Sequence, residues 1–131
     1  MNRLLIGLAL AAVAVPALAQ PLTVHIGETW LFSIDQGEPA HARKVDEKAL
    51  PAHGELKASV RSLFGTMMTI SNNSGTAYAY QAELIGADGK ALTGKTCTLP
   101  AGNKPTLESW SQKAVAVRIG AFHAAGAEGR C

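Results

Sequence analysis

Glu55-Leu56-Lys57-Ala58-Ser59-Val60-Arg61 alternates without a fault: Leu56, Ala58 and Val60 are apolar, and the residues between them are polar or charged. Successive side chains of an extended chain point to opposite faces, so this run reads as a strand half against a core and half in water. After a break near Ser62-Leu63, the same period continues through Phe64, Thr66, Met68 and Ile70, which alternation places on one face. Asn72-Asn73-Ser74-Gly75 then reads as a turn, because Asn and Gly tolerate the positive φ of tight connections. The following run, Thr76 to Ile85, sets Tyr78, Tyr80, Ala82 and Leu84 on one side, and Asp88-Gly89 is a hairpin signal. Leu92 to Leu99 is the return strand, with Gly94 at a bulge or bend.

The pattern extends in both directions. Upstream, Leu22, Val24 and Ile26 share one face, and Trp30, Phe32 and Ile34 share another before Asp35-Gln36-Gly37 ends the run. Downstream, Pro100 to Pro105 is a loop. Leu107 and Trp110 belong to one further strand and Val115, Val117 and Ile119 to a last one, after which the tail beyond Phe122 loses all period. Residues 39–50 depart from this rhythm. They are rich in helix formers, open on Pro39 and are closed by Pro51, so a short surface helix or an irregular crossover is expected there. Seven or eight short strands with turn signals between them predict an all-β antiparallel sandwich, immunoglobulin-like by size, with a small closed barrel as the competing architecture. The antibody pattern of two cysteines bracketing a buried Trp is missing, since Cys131 lies beyond the last strand and Trp110 sits close to a loop.

The amino terminus carries an address. Arg3 supplies a positive charge, Leu4 to Val15 an apolar core, and Pro16-Ala17-Leu18-Ala19 small residues at the cleavage-recognition positions. Residues 1–19 therefore read as a signal peptide and residues 20–131 as a single exported β-sandwich domain. The short alanine-rich signal fits a bacterial exporter, which makes the periplasm or the outside of the cell the expected location. No second apolar run approaches the ~20 residues of a membrane span, and no cysteine follows the apolar core for lipid attachment. Twelve Lys and Arg, Arg3 among them, face ten Asp and Glu, with no basic stripe of the kind that neutralises phosphates. Nucleic acid is not an expected partner.

Cys97 and Cys131 are the only cysteines, and in an oxidising compartment they are expected to pair within the chain. A redox-active pair would ordinarily show C-x-x-C spacing, which is lacking, and an intermolecular bond through the terminal Cys131 is the other alternative. Four histidines, His25, His41, His53 and His123, could with Met67 and Met68 supply copper or zinc ligands. A blue-copper arrangement is excluded because no Met follows His123 and Cys131. His25 lies in a strand and His41 and His53 in polar connectors, so neither a metal nor any other cofactor is expected.

Catalytic signals are weaker still. No serine sits in a G-x-S-x-G elbow. Glu108-Ser109-Trp110 has the residue types of a carbohydrate site, but glycoside hydrolysis needs a second carboxylate across a groove. Asn72-Asn73-Ser74 matches the N-glycosylation pattern, which matters only in a eukaryotic route. Tyr78 and Tyr80 lie on one face of one strand, either as core residues or, with Trp110, as a binding surface. The reading that results is an exported, non-catalytic binding or accessory module of the bacterial envelope, its partner another envelope or extracellular protein or peptide. Contact is expected through the loops Asn72–Gly75 and Pro100–Pro105 or the stretch Asp35 to Gly54. The alternatives are a structural subunit of a surface assembly and an envelope copper- or zinc-binding protein.

Overall fold

A computed structural model describes residues 19–126 and residue 131; the expected signal peptide lies, but for Ala19, outside the described residues. Nine strands follow one another: β1 (Leu22–His25), β2 (Thr29–Asp35), β3 (Glu38–Val45), β4 (Glu55–Ser62), β5 (Thr66–Asn73), β6 (Tyr78–Ile85), β7 (Ala91–Gly94), β8 (Pro105–Trp110) and β9 (Ala116–Ala124). They form two antiparallel sheets, in the orders β1-β9-β6-β7 and β3-β2-β4-β5-β8. The molecule is an all-β sandwich. Its strand order differs from that of an immunoglobulin constant domain, where the first, second, fifth and fourth strands share a sheet. Among the described residues no helix is long and apolar enough to cross a membrane.

Alternation delivers the core. Leu56, Ala58 and Val60 of β4 and Met68 and Ile70 of β5 meet Tyr80, Ala82 and Leu84 of β6 and Val117 and Ile119 of β9, with Val24 of β1 and Phe32 of β2 in the same core. Simple period two fails once in β9. The pairing with β6 slips between Ala79 and Gln81, and Ala121 takes φ 52°, so the strand bulges there. An extra residue swaps the faces, and Phe122 joins Val117 and Ile119 inside. The β2–β3 turn clamps the bulge: the Phe122 N–H donates to Gly37 O at 2.7 Å and the Ala121 N–H to Glu38 Oε1 at 3.0 Å.

Two expectations are corrected. The helix or crossover expected at residues 39–50 is instead an edge strand, β3, followed by a connector. Trp30 pairs with Lys44 and Leu31 with Arg43 across the β2–β3 ladder, so pairing overrides local helix propensity. An edge strand also accommodates Pro39, which has no N–H to give. The strand was illegible because His41, Ala42, Arg43 and Lys44 are all exposed and leave no alternation to read. With β3 the count reaches nine rather than seven or eight.

Phe64 is the second correction. Ser62 pairs with Thr66, so Leu63, Phe64 and Gly65 form a three-residue hairpin loop and the alternation restarts at Thr66. Phe64 does not enter the core; it is 96% exposed. Gly65 is required where it stands, because at φ 116° a Cβ would lie 2.2 Å from Trp110 O.

Candidate functional site

Two places carry features that packing alone does not require. The first lies between the edge strand β8 and the segment Lys95–Thr98 that follows β7. Trp110 and Glu108 share the inward parity of β8, and both are buried. Trp110 Nε1–H donates to Lys95 O at 2.9 Å, and its ring packs against Gly94, where a Cβ would come within 3.0 Å of Nε1. Gly94 thus marks a close approach at the end of β7, not a mid-strand bulge.

Glu108 is 4% exposed and forms no salt bridge among the described residues. Its Oε1 accepts the Cys97 N–H at 2.7 Å and the Tyr80 hydroxyl at 3.4 Å, and its Oε2 lies 3.5 Å from Cys97 Sγ. Burial pushes the Glu108 carboxyl above its ordinary range, partly offset by those two donors. Burial also raises the Tyr80 phenol, and the neighbouring carboxylate adds to it. Cys97 is bonded to Cys131, as expected. An open groove of about 410 Å³ runs beside the bond, lined by Lys95, Thr96, Leu107, Ser109 and Trp110 as well as the cysteines and Glu108.

The raised carboxyl has a measurable consequence. A folded-state value above the unfolded one means the unfolded chain releases this proton first, so stability falls as pH rises from the ordinary Glu range through the Glu108 titration. Glu55 acts oppositely: the Arg43 guanidinium and the Ala52 N–H hold it low, so its contribution is lost as pH falls. Urea unfolding of the wild type and of Glu108→Gln, compared across pH 4–8, should show a decline on the alkaline side that the variant lacks. Parallel curves would contradict a buried, titrating Glu108.

The second place is the apex of the β4–β5 hairpin. Phe64 stands nearly free of the body of the protein at φ 49°, with Leu63, also exposed, beside it. The turn after β8 is fastened to the same end. Thr66 Oγ1 donates to Gln112 O at 2.8 Å and accepts the Ala114 N–H at 2.9 Å, and exposed Val115 follows. A non-glycine residue in the left-handed region costs roughly 1–3 kcal/mol, and an aromatic there gains nothing in packing to offset it.

The other candidates fall apart spatially. Tyr80 is buried and stacks on Phe122 at 5.2 Å, Tyr78 is half-buried with its ring edge to Phe122 at 6.1 Å, and Trp110 is buried. Tyr80 and Trp110 belong to the core, Tyr78 packs against it, and of the three Trp110 lines the groove. His25 bonds Glu28 at 3.2 Å, while His41 stands exposed on β3, His53 in the connector before β4, and His123 on β9. Among the described residues, the one group of three ligand-type atoms within 4.8 Å of one another is Cys97, Glu108 and Cys131, and no histidine joins it. Phe64 and the burial of Glu108 escaped the sequence reading. Gly65 directly after a break in alternation was the signal for the first, and the shared parity of Glu108 with Trp110 for the second.

Comparison of this chain with protein-family models, with curated proteins and with solved structures finds no match.

Proposed function

We propose that this protein is an exported accessory module of the bacterial cell envelope that recognises a protein or peptide partner by contact, with the Leu63–Phe64 apex as its anchor. The observation that carries this reading is Phe64, 96% exposed at positive φ at the apex of the β4–β5 hairpin, with exposed Leu63 beside it. Strained backbone concentrates at functional positions. An aromatic side chain taken fully out of water at an interface contributes about 2–3 kcal/mol, close to a hundredfold in affinity. Export is supported by the signal-type amino terminus and agrees with a disulfide, which persists in oxidising compartments. The mature unit in this reading is residues 20–131.

A photo-activatable phenylalanine analogue at position 64, in protein exported to a bacterial periplasm, tests the reading. The same analogue at exposed Thr93 on β7 serves as the control. A discrete adduct from position 64 and none from position 93 is expected. Equal labelling from both positions, or none from position 64, would defeat it.

A further inference from the structure

We propose that the Cys97–Cys131 bond is a site of thiol–disulfide exchange, with a peptide or protein thiol as its substrate and Glu108 as the group that passes a proton to and from Cys97. This chemistry is separate from the contact made by Phe64 and does not depend on it.

Three features meet at the bond. Its two sulfurs belong to unlike surroundings: Cys97 is buried against β8, whereas Cys131 is exposed. A bond serving only to fasten the chain needs no acid at its side, yet the buried carboxyl of Glu108 reaches within 3.5 Å of Cys97 Sγ. An acid at this inward position of β8, opposite Met68, costs several kcal/mol if charged and unpaired, and an apolar residue would avoid that cost. Finally, the open groove beside the bond has Leu107 and Trp110 for the apolar part of a peptide and Ser109 for its polar part.

An incoming thiolate attacks the accessible Cys131 Sγ and forms a mixed disulfide. The Cys97–Cys131 bond breaks and its electron pair leaves on Cys97 Sγ. A thiolate in that buried position would be poorly solvated, and the proton from Glu108 Oε2 converts it to a thiol. The carboxylate left behind keeps the Cys97 N–H and the Tyr80 hydroxyl as donors. A second thiol of the substrate, as its thiolate, then attacks the substrate sulfur of the mixed disulfide, and that bond breaks with its electron pair on Cys131 Sγ. Exposed Cys131 takes a proton from water and Glu108 is reprotonated from solvent, so the substrate leaves as a disulfide and has supplied both electrons. The reverse runs through the same atoms. Among the described residues, the titratable and charged groups around Glu108 are Tyr80 from β6 and Lys95 from the segment after β7.

Glutathione and 2-mercaptoethanol serve as probes on the oxidised full-length mature protein. Reduction rates are followed by acid quench, alkylation and mass, and divided by thiolate concentration at each pH from 5 to 9. The wild-type rate per thiolate should fall as pH rises through the Glu108 titration. Glu108→Gln should be slower by about tenfold or more at the acid end and flat with pH. Peptide mapping of the quenched intermediate should place glutathione on Cys131. A flat wild-type profile, a Glu108→Gln rate equal to wild type, or glutathione on Cys97 would each overturn the proposal and leave a fastening bond only. The wild-type profile and the mapping decide the matter even if Glu108→Gln folds poorly.

Discussion

Phe122→Ala should destabilise the protein by about 3–5 kcal/mol. Phe122 is the aromatic hub of the sandwich. Its ring stacks on Tyr80 at 5.2 Å, meets Phe32 at 5.9 Å and takes the edge of Tyr78 at 6.1 Å. Those partners come from both sheets, Phe32 from β2 and the tyrosines from β6. Truncation therefore removes transfer energy, leaves a cavity and loses aromatic contacts worth about 0.5–1.5 kcal/mol each. The bulge at Ala121 is held by hydrogen bonds to Gly37 O and to the Glu38 carboxylate, so the strand cannot slide inward to refill the space. Urea unfolding with an unchanged slope and a lowered midpoint would show this. A loss under about 1 kcal/mol would mean that Phe122 is not at the centre of the core.

Cys131→Ser should cost about 3–4 kcal/mol under oxidising conditions. The bond closes a sequence separation of 34, and the loss follows from the greater chain entropy of the unfolded state without it. A reducing agent provides the internal control. With dithiothreitol, wild type and variant should unfold at the same midpoint, whereas without it the wild type should be more stable. Equal midpoints in both buffers would show that the bond contributes nothing to the fold.

How far the fold was legible follows from where alternation survives. Leu56, Ala58 and Val60, or Tyr80, Ala82 and Leu84, announce their faces because each strand is buried on one side and wet on the other. That gave the all-β class and the two-layer architecture. β3 was hidden because an edge strand exposed on both faces past Ala40 has no period, and its residue types favour helix. Sequence alone does not place Phe122 in the core, because a bulge reverses parity and nothing in Gly120-Ala121 declares one. Strand order was beyond reach, since β1 pairs with β9 across nearly the whole chain and local sequence holds no record of that partner.

The candidate sites were less legible than the fold, for the same reason. Pairing of Cys97 with Cys131 could be expected from count and compartment. That Glu108 would lie against Cys97 depends on β8 packing over the segment after β7, a tertiary fact. Phe64 continues an apolar rhythm through Thr66, Met68 and Ile70; the break near Ser62-Leu63 and Gly65 hint at a turn, and the register of Ser62 with Thr66 places Phe64 in it.

Phe64→Asn is the most direct test of the central claim, that an aromatic side chain is held at the hairpin apex for contact at a cost to the fold. Asn tolerates the left-handed conformation, and nothing buried is lost when a 96% exposed ring is removed. The variant should be more stable than wild type by about 1 kcal/mol in urea unfolding. In the periplasm, adducts formed by a photo-activatable residue at neighbouring Leu63 should disappear in the Phe64→Asn background. A variant that is less stable, or that keeps its adducts undiminished, would contradict the account.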